Sequence, residues 1–227
     1  MNFIVGDSRA RLLKDVMGNL VVEEVWARPG GKISDMEKLV NDLTYLHHGE
    51  SNERSHFYIW VGICDLTTRL RDYKNKYEEV IVDIEGIELK RALILEDLNK
   101  LTSTTINQFG KPIFCPIIPM NISEWNHHRK SCNKTSKLEY QKEYAHMQKI
   151  LENEVSKFNE NIIEINKSNN VVTPMINKDF LHNRGKGRAT PMYWELVDGC
   201  HPSRNIITKF RKSLKAAIRA NRRDLRS

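Results

Sequence analysis

The chain has 227 residues, 40% of them apolar, enough for one sizeable core and too few to suggest two unrelated domains. No apolar run approaches the roughly 20 residues that a membrane-spanning helix needs, and the opening MNFIVGDSRARLL has neither the apolar core nor the cleavage region of a signal peptide, so a cytoplasmic protein is expected, with the nucleus left open. The net charge of +7 is uneven: His201 to Ser227 holds nine Lys or Arg and one acid, Asp224, whereas the preceding 200 residues hold 27 bases against 28 acids.

In chain order, MNFIVGD is a short apolar strand signal ending at a turn, and RARLLKDVMG follows as a helix stopped at Gly18. VVEEVWARPGG reads as a second strand that breaks at Pro29 and Gly30. A helix then opens at Ser34 or Asp35, with Met36, Leu39, Val40, Leu43 and Leu46 on one face at three- and four-residue steps. The third strand, HFYIWVGICDL, is apolar nearly throughout, as a strand covered on both faces should be. A long, interrupted helical region is predicted from about Tyr77 to Phe109, weakened by Gly86 and by LTSTT. GKPIFCPIIPM gives a fourth strand, and a charged helix from about Ser136 to Asn159 buries Tyr144, Met147, Ile150, Leu151, Val155 and Phe158. NIIEIN reads as a short fifth strand, and Lys167 to Val197 shows no clean period, as a functional or mobile loop would. The closing helix, at about 203–225, carries Ile206, Ile207, Phe210, Leu214, Ala217 and Ile218 on its apolar face.

Strands alternating with helices predict a parallel sheet of five strands covered on both faces, within one domain over 1–227. Ligands of such sheets bind beyond the carboxyl ends of the strands. There the chain places Gly6-Asp7-Ser8, Pro29-Gly30-Gly31 and Gly62-Ile63-Cys64-Asp65, and the loop before the last helix adds Asp198 and His201 in DGCHPS. An imidazole oriented by a carboxylate is a general base for a serine. A serine opening a helix also sits among backbone N–H groups that favour developing negative charge. Taken singly, Ser8 reads as a helix cap and DGCHPS as a turn, but Ser203 already supplies a cap for the last helix.

FIVGDSRARLL, RPGGKI, VGICDL and DGCHPS, in this order and spacing, resemble the four sequence blocks of the SGNH, or GDSL, hydrolases. The resemblance runs from Phe3 to about Ser203. It implies a flavodoxin-like three-layer α/β/α sandwich, a nucleophilic Ser8, a His201 base oriented by Asp198, and hydrolysis of a small ester, such as an acetyl group on a larger carrier, with no cofactor or metal. It further implies an oxyanion hole from the Ser8 N–H, the Gly30 N–H, with Gly31 the less favoured alternative, and a third donor where the family has asparagine. Here that position is Cys64, whose thiol is a weak donor.

The remaining signals are weaker. Cys64, Cys115, Cys132 and Cys200 lack paired short spacings and read as free thiols. The glycosylation patterns at Asn121, Asn133 and Asn166 read as chance matches in an Asn-rich chain without an export signal. HHRKSC, with His127, His128 and Cys132, lacks a fourth ligand at a familiar zinc spacing, and RGKGR at 184–188 lacks the rest of a phosphate loop. His47-His48 reads as a helix end. Arg9 and Arg11 read as solvated helix residues or as attractors of an anionic substrate. Arg211, Lys212, Lys215, Arg219, Arg222, Arg223 and Arg226 make the closing helix densely basic, so the competing reading is a weakened esterase-like module that contacts nucleic acid or another anionic partner through this helix.

Overall fold

The structure is a computed structural model that describes residues 1–17, 22, 24–46, 55–72, 77–108, 110–130, 141–182 and 189–223. Its elements are β1 (Asn2–Gly6), α1 (Ser8–Met17), β2 (Glu24–Ala27), α2 (Ile33–Leu46), β3 (His56–Trp60), α3 (Ile63–Leu66), β4 (Thr68–Asp72), β5 (Tyr77–Ile81) and α4 (Ile87–Gln108). These are followed by β6 (Lys111–Phe114), α5 (Ile122–Lys130), α6 (Gln141–Ser168), α7 (Ile176–Asp179), β7 (Leu181–His182), β8 (Thr190–Pro191) and α8 (Arg204–Arg223).

The central sheet is parallel, in the order β2-β1-β3-β6, with Gly6 opposite both Ala27 and Trp60. Every residue of β1 and β3 is buried, the pattern of strands covered on two faces. With the right-handed crossovers general to such sheets, this strand order puts α1 on one face and α2 with α4 on the other. α1 packs against α8 and α2 against α4, giving the three-layer α/β/α fold. The predicted apolar face of α8 is buried in full, and Phe210 meets Trp60 edge-on at 5.6 Å. The face predicted for α2 is buried at Met36, Val40 and Leu43, whereas Leu46, at its end, is 61% exposed. Among the described residues no helix is long and apolar enough to cross a membrane.

Three expectations are corrected. Among the described residues the central sheet has four strands, not five, because NIIEIN lies within α6. Val155, Phe158, Asn159, Ile162 and Asn166 are buried at three- and four-residue steps, a helical stripe that the β-branched residues of NIIEIN obscure. The edge that a fifth strand would have covered is met instead by two carboxamides of this helix. Asn166 accepts from the Phe114 N–H at 2.9 Å and donates to its carbonyl at 2.8 Å, and Asn159 does the same for Ile117 at 2.7 and 2.9 Å.

The predicted helical region from Tyr77 begins instead with β5, paired antiparallel with β4, and only Ile87–Gln108 is helical. The stretch 167–197 holds α7, the small β7–β8 pair and a 3-10 turn at Tyr193–Glu195. The start predicted at Ser136 and the positions Gly18, His47, His48, Phe109, Asn133 and Cys132 lie outside the described residues, as do RGKGR, Asp224 and Arg226.

Candidate active site

β1 delivers the first component. Gly6 lies so close to β3 that a Cβ there would come 2.3 Å from the Trp60 carbonyl oxygen. Asp7 then turns the chain into α1, its N–H donating to the Trp60 carbonyl at 3.2 Å and its carboxylate accepting the Arg9 N–H at 2.9 Å. The Arg9 guanidinium closes back on the same carboxylate at 2.7 Å, donates to the Ile118 carbonyl at 3.1 Å and lies 5.5 Å from the Trp60 ring centroid. Arg9 is therefore fully buried, neither a solvated helix residue nor a lure for substrate, whereas Arg11 is exposed. Burial opposes the Arg9 charge, but the Asp7 carboxylate outweighs it and keeps the guanidinium protonated. This clamp braces the turn around Ser8, which is half-buried at the first position of α1, where its N–H has no acceptor within the helix.

DGCHPS delivers the second component. Gly199 adopts φ +78°, and a Cβ there would approach the Trp125 nitrogen to 2.5 Å, so the turn needs glycine. Its carbonyl accepts the Asn121 N–H at 2.7 Å, and the Val197 N–H reaches the His201 carbonyl at 2.8 Å. Asp198 Oδ1 accepts the N–H groups of Cys200 and His201 at 3.0 and 2.8 Å, while Oδ2 lies 2.8 Å from His201 Nδ1. Across the site, His201 Nε2 stands 2.9 Å from Ser8 Oγ. Partial burial pushes the Asp198 carboxyl up, but hydrogen bonds from the His201 ring and from the His201 and Cys200 backbone hold it down at about 2. An ionised Asp198 draws the ring proton to Nδ1, which leaves Nε2 as an acceptor for the Ser8 hydroxyl. The cap of α8 belongs to Ser203, whose Oγ accepts the Ile206 N–H at 3.3 Å.

The ends of β2 and β3 carry the remaining predicted positions. Gly30 has φ +70°, and the Gly31 N–H is engaged by the Arg28 carbonyl at 2.9 Å. Cys64, half-buried in α3, has its thiol pushed up first by burial and then by Asp7, against the opposing fields of Arg9 and Arg69. It stands as a neutral thiol. Asp65 is buried and both its oxygens face the Ile33 N–H at 3.3 Å, tying α3 to α2. Burial, opposed by that hydrogen bond, raises its pKa to about 7. A cleft of about 420 Å³ opens here, lined by Gly30, Lys32, Cys64, Thr67, Thr68 and Arg69.

The predicted residues Ser8, Asp198 and His201 come together, and Gly30 and Cys64 line one cleft, linked to His201 through Arg69 and the Trp125 ring. Sequence reasoning missed Arg69 and Trp125. The Arg69 guanidinium lies 5.7 Å from the Trp125 ring centroid, and that ring lies 6.2 Å from the His201 ring. TRLRD looks like any polar edge strand, and no local signal in it points to a site. His127 and His128 of HHRKSC are exposed on α5, and its Cys132 lies outside the described residues. Cys64, Cys115 and Cys200 are free thiols. Asn166 of the third glycosylation pattern is buried and hydrogen-bonded to Phe114.

The sequence matches no family model and no curated protein. The fold has clear relatives among solved structures. An acetyl xylan esterase, AlAXEase, superposes with a TM-score of 0.58 at 14% identity over 96% of this chain and 100% of that one. A GDSL-like lipase from Bacteroides thetaiotaomicron VPI-5482 gives 0.55 at 10% identity, over 96% and 85% of the two chains. A member of the lipolytic G-D-S-L family from Veillonella parvula DSM 2008 gives 0.54 at 10% identity, over 95% and 94%. At these identities the likeness is one of fold.

Proposed function

We propose that this chain, which has the SGNH/GDSL hydrolase fold, is a serine ester hydrolase working through Ser8, His201 and Asp198. The observation that carries the reading is the unbroken run from Asp198 Oδ2 to His201 Nδ1 at 2.8 Å and from His201 Nε2 to Ser8 Oγ at 2.9 Å. In this scheme His201 takes the Ser8 proton as Oγ attacks the ester carbonyl, then returns it to the leaving alcohol, while Asp198 holds the tautomer and stabilises the imidazolium. Water, activated by the same imidazole, releases the acyl group from Ser8. The N–H groups of Ser8 and Gly30 face the developing oxyanion. The engagement of the Gly31 N–H in its own turn favours Gly30 for this role.

Cys64 offers a weak third donor. Loss of one preorganised donor typically costs on the order of 100- to 1000-fold in rate, so the reading is a slow esterase. The acetyl xylan esterase among the fold relatives favours a small acyl group on a larger carrier. Labelling with an active-site-directed fluorophosphonate tests the reading: the adduct is expected on Ser8 and lost in Ser8→Ala. A folded protein that takes no label rejects it.

A second reading, contact with nucleic acid, draws on Lys209, Lys212, Arg219 and Arg223, all exposed on α8. The inner face of that helix is core, so deletion would destroy the fold. Charge reversal of these four residues is expected to abolish salt-sensitive binding of single- or double-stranded nucleic acid. Absence of binding at low salt removes this reading.

A further inference from the structure

The cleft lined by Gly30 and Cys64 holds two cationic side chains. Lys32 and Arg69 are among its lining residues, and none of those residues is acidic.

Arg69 is held in place rather than merely present. It pairs across the β4–β5 hairpin with Val80, whose N–H and carbonyl are both taken by the Asn126 carboxamide at 2.8 Å. Asn126 is buried and follows Trp125, so α5 fixes the hairpin and lays the Arg69 guanidinium against the indole. On its other side the guanidinium reaches Gly30, where Nη1 lies 3.7 Å from the point a Cβ would occupy. Arg69 thus stands between the glycine of the ester site and the tryptophan that neighbours His201. Its acidic neighbour is Glu78, at 3.6 Å, a separation longer than a charge-assisted hydrogen bond, and Glu78 also faces Arg129 at 4.0 Å. Its side chain is 35% exposed, open to a ligand in the cleft. Thr68 Oγ1 accepts from Lys90 Nζ at 2.9 Å, which leaves its own O–H to donate.

We infer that Arg69, assisted by Lys32, forms an anion-recognition subsite that selects esters bearing a carboxylate or phosphate close to the scissile bond. The inference rests on the ester-hydrolase reading of Ser8 and adds a substrate class to it. A planar guanidinium fork matches either anion with paired hydrogen bonds. Arg69 is here a specificity residue, and Ser8 and His201 keep the chemistry.

Matched substrate pairs test this. One pair is 4-nitrophenyl hemisuccinate against 4-nitrophenyl butyrate, which places a carboxylate or a methyl at the end of the acyl group. The other is 4-acetoxyphenyl phosphate against phenyl acetate, which places a phosphate on the alcohol side. The expected result is an anionic-to-neutral ratio of kcat/KM above about 10 in at least one pair at low ionic strength, carried mainly by KM and reduced by salt. Arg69→Gln should lower that ratio on the order of 10- to 100-fold, with Arg69→Lys keeping part of it and Lys32→Gln causing a smaller fall. Hydrolysis of the neutral esters with no anionic preference overturns the subsite and leaves the ester-hydrolase reading standing. If no ester turns over and Ser8 takes no fluorophosphonate, the ester-hydrolase reading fails. Calorimetric titration of Ser8→Ala with succinate and with phenyl phosphate then reads the subsite directly. Binding weakened at least about tenfold by adding Arg69→Gln or Lys32→Gln supports it, and no binding, or binding unaltered by both, overturns it.

Discussion

The Asn166 carboxamide occupies both backbone hydrogen-bonding groups of Phe114, at 2.8 and 2.9 Å, the contact that a fifth strand would otherwise make. One helix side chain therefore pairs the edge-facing groups of Phe114, and Asn159, two turns earlier, does the same for Ile117, just beyond the end of β6. Asn166→Leu leaves a buried N–H and a buried carbonyl unpaired. It is expected to lower unfolding stability by about 2–4 kcal/mol, read as a shift in the denaturant midpoint. Asn166→Asp should also destabilise, since it removes the donor and brings a charge into the core.

Asp198→Asn tests the orienting role of the carboxylate. An amide at this position favours the wrong ring tautomer, and ester turnover is expected to fall on the order of 1000- to 10,000-fold with the fold retained. The stability profile has a definite sign. The folded-state pKa of about 2 lies below the ordinary carboxylate value, so the contribution of Asp198 is full above about pH 4 and is lost as pH falls through 2. Melting curves of wild type and Asp198→Asn should therefore converge toward pH 2.

On the proposed ester-hydrolase reading, Cys64→Asn adds a carboxamide donor at the third oxyanion position. Hydrolysis of a simple aryl acetate is expected to rise roughly 10- to 100-fold, chiefly in kcat, because the added hydrogen bond strengthens as charge develops on the carbonyl oxygen. Steady-state kinetics on 4-nitrophenyl acetate check this, and unaltered kcat would mean that Cys64 does not face the oxyanion.

Asp65 gives an opposite pH signature. Its folded-state pKa of about 7 lies above the unfolded value, so the folded protein holds a proton there that the unfolded chain has already released, and stability declines as pH rises from about 4 through 7. Asp65→Asn keeps an acceptor for the Ile33 N–H without the charge. It is expected to match wild type near pH 4 and to exceed it by up to about 4 kcal/mol at pH 8, as measured by chemical denaturation at the two pH values.

Much of the site was legible because its parts are local. Each chemistry-bearing stretch is a few contiguous residues at the end of a strand or the start of a helix, and glycines mark the turns at Gly6, Gly30 and Gly199. The apolar face of α8 was readable for the same reason, since a 3.6-residue period is written in neighbouring positions. NIIEIN misled because β-branched residues favour a strand locally, and only packing along the β6 edge shows that Ile162 and Asn166 continue a helical stripe. Arg9 misled in the opposite sense, since its burial depends on Asp7, Ile118 and Trp60 closing around it.

By itself the sequence determined the alternation of elements through Gly62, because turn chemistry and hydrophobic periodicity act over a handful of residues, and its resemblance to the four SGNH blocks named Ser8, Asp198 and His201 as candidates. Only the tertiary structure decided that Ser8 and His201, 193 positions apart, meet at 2.9 Å, that Asn159 and Asn166 stand in for a strand, and that Arg69 lies beside Gly30. Those contacts join residues from separate elements, and their distances are set by how the sheet and helices pack.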